Sequence, residues 1–348
     1  MRTLTVALLA IIALSFGMPR PAGADDTLRV VAAFPGGIEV LENVAKLAGL
    51  YAAEHLDVDK EYAGSASACA QLVSTGKADI CAASMEPTIL GYDKGIRMQT
   101  FFSRVNRYTY EIVTLADSPI RTMSDFKGKL IGTSSPGDTT EVVATNMLAG
   151  AGLKKGDYSF APVGAGAQAM AALATHRVEA LSTVVSDVIP QAAAAGVQIR
   201  QFRSPILESV RNSGFAASPA AIATKGDLIG RYARAIAKAA VIIRENPDVA
   251  ARYALLALHN SGPVTPEELR RQADVLRSMK DFYAAADPMN PRIGSIRPSS
   301  VALYCQFFYS AGLTSALVPA SAIITNQFIA TANNFDHKAW IAEVKRMR

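Results

Sequence analysis

Charge is scarce and nearly balanced in these 348 residues, with 35 Lys and Arg against 30 Asp and Glu. No long basic run or aromatic–basic stripe is present, which excludes a nucleic-acid-binding reading and leaves no nucleic-acid partner. Cysteine is almost missing. Cys69, Cys81 and Cys305 are too few, and odd in number, for a disulfide scaffold. Either Cys69 pairs with Cys81, its nearest partner in sequence, or all three are buried thiols. No Gly-x-Ser-x-Gly elbow occurs, so a conventional α/β-hydrolase nucleophile lacks its turn. His55, His176, His259 and His337 stand alone, without His-x-x-x-His or Cys-x-x-Cys spacing, so no metal site and no catalytic residues are signalled. The adjacent acids Glu267 and Glu268 begin a helix, where capping and the helix dipole account for them. Beyond the N-terminus no apolar run is long enough to span a bilayer.

Half of the residues are hydrophobic and mean hydropathy is +0.18, which makes the chain globular. Its length exceeds the roughly 250–300 residues at which a single core stops growing, so two lobes are expected. Residues 1–24 read as a signal peptide. Arg2 precedes the apolar run Leu4 to Met18, Pro19 and Pro21 break it, and Ala22-Gly23-Ala24 is a small-x-small cleavage signal before Asp25. The run is shorter than the roughly 20 apolar residues of a membrane span. Removing Arg2 and Arg20 leaves 33 basic against 30 acidic residues, a net charge of +3. The expected product is soluble and exported.

Along the mature chain, strand-like runs alternate with amphipathic helices, the pattern of an α/β protein. Leu28 to Ala33 reads as a strand closed by Phe34-Pro35-Gly36-Gly37, and Ile38 to Glu54 as a helix. Ser67 is placed to cap a helix through Val73, followed by a strand from Ala78 to Ala83. Thr122 to Asp125 and Asp138 to Glu141 are capping-box patterns, the first ahead of a strand at Lys129 to Gly132 and the second opening a helix that Gly150 ends. From Asp227 the chain turns helical, with Asn246-Pro247 and Thr265-Pro266 marking helix starts and further helices after Ser299. A repeat at a shift of 100 residues superposes Gly64-Ser65-Ala66 on Gly164-Ala165-Gly166, and Leu72 to Asp79 on Ala172 to Glu179. Two related α/β lobes would produce it.

These segments carry a resemblance. Leu72 to Ile80, Asp117 to Gly132 and the helix Arg231 to Pro247 resemble the periplasmic substrate-binding proteins of ABC importers, in the nitrate, sulfonate, taurine and thiamine-precursor branch. The resemblance implies a type II periplasmic binding protein: two α/β lobes joined by two crossover strands around a ligand cleft that closes by hinge motion. It places lobe I at 25–105 and 225–348, with a helical C-terminal part, and lobe II at 106–224. It implies delivery of a small, anionic organic solute to an ABC permease and ATPase complex, with no catalysis and no cofactor. A sensory module and an exported hydrolase are the alternatives; the cysteine-rich segment of a related precursor-synthesising enzyme is absent. His176 and Glu179 stand where the family has Gly and Asp, and the tail after Met289 resembles that of a long-tailed subset.

Ligands of open α/β sheets sit outside the carboxyl ends of strands, where loops lead into helix N-termini. Five loops qualify, around Phe34, Gly64, Ser84, Asp138 and Ser186. They make Phe34, Gly64, Ser65, Ala66, Ser84, Met85, Asp138, Thr139, Thr140, Ser186 and Asp187 the ligand-binding candidates, because free N–H groups, the helix dipole and hydroxyls suit an anion. Asp138 either opens an anion site or only caps its helix. Phe34 either walls a ligand or packs in the core. Arg107, or its neighbour Arg104, either clamps an acid group or joins an interlobe salt bridge. Asp187 either faces the cleft or caps a helix. Gly164-Ala165-Gly166 fits a loose dinucleotide pattern that the parallel Gly64 loop explains as a strand-to-helix turn needing small residues.

Overall fold

The computed structural model describes residues 26–33, 39–204, 207–258, 263–280, 282–283 and 292–348. The expected leader at 1–24 and Phe34 lie outside the described residues. The strands are β1 Asp26–Ala32, β2 Leu56–Tyr62, β3 Ile80–Ser84, β4 Gln99–Ser103, β5 Tyr110–Leu115, β6 Leu130–Thr133, β7 Ser159–Pro162, β8 Ala180–Val184, β9 Ile199–Phe202 and β10 Ser213–Ala217. They form two five-stranded sheets, ordered β2-β1-β3-β10-β4 and β7-β6-β8-β5-β9. The orders are the same once the antiparallel member of each sheet is set aside: β5 follows a strand of the first sheet, and β10 follows a strand of the second. The two crossovers, 104–109 and 203–212, are thereby fixed. The second falls ahead of residue 224, because β10 hydrogen-bonds to β3 and β4.

Why these segments are strands follows from their two buried faces. In β1 and β3, Leu28, Val30, Ala32, Ile80 and Ala82 pack into one core, while Val31, Cys81 and Ala83 pack into another with Cys69 and Val73. A sheet covered on both sides reads as a continuous apolar run. Helix Gly226–Glu245 covers the first face; its alanines let it lie close to helix Val40–Leu47, and Ile229, Tyr232, Ile236 and Ile243 are fully buried. Each such aliphatic side chain contributes about 1.5–3 kcal/mol on burial.

The 100-residue repeat is structural. Helices Ala66–Ser74 and Gly166–Ala174 and strands β3 and β8 stand at that spacing. In the first copy Asp79 accepts from the Arg29 backbone N–H at 3.0 Å and pairs with its guanidinium at 3.1 Å. In the second, Glu179 accepts from the Leu130 N–H at 2.8 Å and pairs with Lys129 at 3.0 Å. Arg29 and Leu130 hold the same register position in the two copies, so the two acids make the same backbone bond. Gly76 and His176 end the two helices with positive φ, 74° and 55°.

Three local expectations change. The helix through 38–54 is two helices, Val40–Leu47 and Leu50–Ala53, parted at Gly49 with φ 69°. Ser65, not Ser67, is the cap of its helix, its hydroxyl accepting from the Ala68 N–H at 3.1 Å. Glu141 does not close a capping box on Asp138; its carboxylate takes the Gly137 N–H at 2.8 Å. Cys69 and Cys81 form a disulfide with Cα atoms 5.6 Å apart, and Cys305 is a buried free thiol. Among the described residues no helix is long and apolar enough to cross a membrane.

Candidate functional site

A cavity of about 750 Å³ lies between the carboxyl ends of the two sheets, within the roughly 300–1,000 Å³ of small-molecule sites. From the first sheet it is lined by Ala33 after β1, by Ala82, Ala83 and Ser84 of β3, and by the Gly64–Ser67 turn. From the second it is lined by Ser134, Ser135 and Gly137–Thr140 after β6, by Gly164 and Ala165 after β7, and by Thr183, Val184 and Asp187. Arg104, Thr109, Tyr110 and Ser213 reach it from the ends of the crossovers. Topology puts these loops together, since β1, β3, β6 and β8 run toward the same gap.

Among the described residues five helices of eight or more residues begin at the cavity, counting Val40–Leu47, whose N-cap Glu39 lines it without a side-chain cap bond. Two are capped by side chains. Ser65 caps Ala66–Ser74, and Asp138 caps Thr139–Ala149, accepting from the N–H groups of Thr140 at 3.0 Å and Glu141 at 3.2 Å and from the Thr140 hydroxyl at 2.5 Å. The capping reading of Asp138 is therefore the geometric one, and its carboxylate also lines the cavity. Gly166–Ala174 and Val185–Ala195 start at Ala165 and Val184, which make no side-chain cap bond, and the Val185 N–H donates to the Thr109 carbonyl at 2.8 Å. Those two termini, with the hydroxyls of Ser134 and Ser135, make the second-sheet wall rich in donors. Gly64 and Gly164, at φ 79° and 75°, turn the chain from strand to helix.

The first-sheet wall carries charges. Arg104, 3% exposed, pairs with Glu42 at 3.1 Å and donates to the Ser213 hydroxyl at 3.1 Å. Glu39 accepts from the Tyr62 hydroxyl at 2.8 Å and pairs with Lys60 at 3.2 Å. Burial, then the nearby Glu42, pushes the Glu39 carboxyl above the ordinary range, against the pull of Lys60 and Tyr62. Lys94 and Gln71 complete this side.

Of the sequence candidates, Gly64, Ser65, Ala66, Ser84, Asp138, Thr139, Thr140 and Asp187 line the cavity. Met85 does not: it is buried in a core with Ile89 and Tyr108. Ser186 is fully buried in the first turn of its helix. Arg107 is also outside the cavity; its guanidinium bonds the Glu111 carboxylate at 2.6 Å, which Arg203 of the second crossover meets at 2.9 Å. Arg104 takes the place considered for it. Glu39, Gln71, Lys94, Thr109, Tyr110, Thr183 and Ser213 were not singled out. Glu39 gave no signal, and Ser213 and Thr183 sit in strands whose ends only the topology identifies.

Behind the cavity the crossovers are tied by buried polar groups. The Asn212 side-chain carbonyl accepts from the Thr109 N–H and hydroxyl, both at 3.0 Å, while its amide donates to Glu86 at 2.7 Å. The Tyr304 hydroxyl donates to the same Glu86 oxygen at 2.5 Å and meets the Tyr108 hydroxyl at 2.9 Å. Burial raises the Glu86 carboxyl above its usual range although Ser84, Tyr304 and Asn212 hydrogen-bond to it. Tyr304 belongs to helix Pro298–Ser310, so this helix of the C-terminal tail joins the core behind the cavity, with Val301, Cys305 and Phe308 packed there.

Comparison with known proteins gives this frame a context. The NMT1/THI5-like family profile matches residues 42–250. The riboflavin-binding protein RibY of Chloroflexus aurantiacus is 22% identical over 293 residues, 82% of this chain and 81% of its own. Among solved structures, the periplasmic aliphatic sulphonate-binding protein SsuA of Escherichia coli has a TM-score of 0.63 at 20% identity, covering 87% of this chain and 99% of its own. The alkanesulfonate-binding SsuA of Xanthomonas axonopodis, bound to MOPS, has a TM-score of 0.63 at 15% identity with the same coverage. The fold is thus that of the periplasmic binding proteins, in the two-lobe form with two crossover strands.

Proposed function

The chain belongs to the NMT1/THI5-like family, and we propose that it is a periplasmic solute-binding protein that captures a small organic solute by lobe closure and delivers it to an ABC importer. The observation that carries this reading is the 750 Å³ cavity held between two repeats of one α/β unit and floored by the crossovers. Closure is a population shift, driven only by contacts that the solute makes better in the closed form. The anionic end of the solute meets the second-sheet wall, at the uncapped helix starts and at Ser134, Ser135 and Thr139; Gly64, Ser65, Ala66 and Ser84 meet it from the other side. The relatives named for riboflavin and for alkanesulfonates support an organic solute of that general kind. Lobe I comprises 25–105 and the chain after the second crossover, and lobe II the stretch between the crossovers. The leader is cleaved after Ala24, and the mature monomer turns over no substrate.

A thermal-shift screen of residues 25–348, unfolded and refolded to remove carried ligand, tests the reading with sulfonates, carboxylates, nitrate, pyrimidines and amino acids. A ligand at 100 times its Kd adds about 2.7 kcal/mol, which is about 4 °C for a chain of this length. A selective shift with intact ligand recovered supports capture. Product formation would favour a hydrolase, and silence across the panel would overturn the solute class.

A further inference from the structure

We propose that the first-sheet wall, where Glu39 and Arg104 line the cavity beside Ser84, is a subsite for a neutral head that presents one donor and one acceptor side by side, such as an amide or lactam edge. This inference deepens the solute-capture reading and rests on it. Glu39, 2% exposed, uses Oε2 for both Lys60 and Tyr62, and its Oε1 has no partner among the described residues. Arg104, 3% exposed, uses Nη1 for Glu42 and Nη2 for Ser213, and among the described residues its Nε–H has no partner. The Ser84 hydroxyl beside them turns to the Glu86 carboxylate. All three residues line the cavity. Buried polar groups without partners are uncommon in folded proteins and ask for an explanation; here an acceptor and a donor lack partners on two residues that line the same wall. The charges around them cancel, Glu39 and Glu42 against Arg104 and Lys60. A carboxylate placed there would meet Glu39, and a cation would meet Arg104. A neutral amide edge gives its N–H to Glu39 and takes the Arg104 N–H on its carbonyl, so it satisfies both. With the anionic end on the opposite wall, such a bifunctional solute touches both lobes, which is what closure requires.

Titration calorimetry on the refolded mature chain with 4-carbamoylbenzoate, terephthalate and 4-methylbenzoate tests this, because the three differ only in the group that would face Glu39. The carbamoyl probe is expected to bind about tenfold more tightly than either of the others. Glu39→Gln should erase or reverse its advantage over terephthalate. Glu39→Asp, which keeps the charge but withdraws it by one methylene, should shrink the advantage without reversing it, and serves where the Gln variant fails to fold. Melting of the unliganded variants reports their folding. Equal binding of all three probes, or an order unchanged in both variants, overturns the subsite and leaves capture standing. Binding of none of them also overturns it, and only silence across the wider solute screen would overturn capture as well.

Discussion

The Cys69–Cys81 bridge sets a measurable share of the stability of the site's first wall. It fastens helix Ala66–Ser74, whose start lines the cavity, to β3, whose end lines it too. The cross-link closes a loop of 12 residues, and the loop-entropy relation gives about 3 kcal/mol of stabilisation at 25 °C for a loop of that size. With an unfolding entropy near 2.1 cal/mol/K per residue, this corresponds to a fall of about 4–5 °C in Tm when the bond is absent. Both sulfurs are buried, so alanine is the suitable replacement: serine hydroxyls at 0% and 1% exposure would add a desolvation cost of their own. Scanning calorimetry of the oxidised protein, of the reduced protein and of the Cys69→Ala/Cys81→Ala variant should place the last two together, below the first. Reduction that leaves Tm unchanged would refute the argument, and so would a double variant as stable as the oxidised protein.

Asp138→Ala should cost about 1 kcal/mol through the lost cap, whereas Asp138→Asn should keep the cap and, by removing a carboxylate from the cavity wall, strengthen binding of an anionic solute; urea melts and calorimetry read the two effects separately. At Asp79, burial opposes the charge, but hydrogen bonds from Arg29 and Lys225 outweigh it and hold the carboxyl below its ordinary value of 3.8. Its contribution is therefore present above that value and lost as pH falls through the folded one, so the stability gap between native protein and Asp79→Asn should be open at pH 7 and close in acid. Gly76→Ala should cost about 1 kcal/mol in a urea melt, because nothing crowds the position and only its φ of 74° opposes a side chain. Burial pushes the Cys305 thiol up to about 11, so it should stay unreactive toward thiol reagents at pH 8 until the protein is unfolded.

Much of the frame was legible because both sheets are covered on two faces, so β1 and β3 read as largely apolar runs between helix starts. β2 escaped notice: Leu56–Tyr62 is an edge strand with one fully buried residue, and its alternating acids and lysine leave no apolar run. β7 and β9 are four residues each, too short for periodicity. The site's loops around Gly64, Ser84, Asp138 and Asp187 were legible because strand-to-helix turns leave small and hydroxylated residues in the sequence. What could not be read was direction. Arg104 and Arg107 are three residues apart on an irregular crossover, and one lines the cavity while the other joins Glu111; no helical or strand period says which. Likewise a spacing of 12 does not bring Cys69 to Cys81. The packing of helix Ala66–Ser74 on β3 does.

The two walls are built from the same unit and differ in charge, and that asymmetry follows from where the chain crosses. Each sheet receives one antiparallel strand from the other lobe, and those strands place Ser213 against Arg104 on one side and Tyr110 on the other. Arg104 is the first residue beyond β4, so its guanidinium lies at the floor of the cavity, where Glu42 holds it in place. The corresponding position after β9 is Arg203, but there the guanidinium turns to Glu111 behind the cavity. One lobe therefore presents a buried ion cluster with unused polar atoms, while the other presents backbone N–H groups and hydroxyls. Asn212, Thr109 and Glu86 join the two crossovers behind these walls.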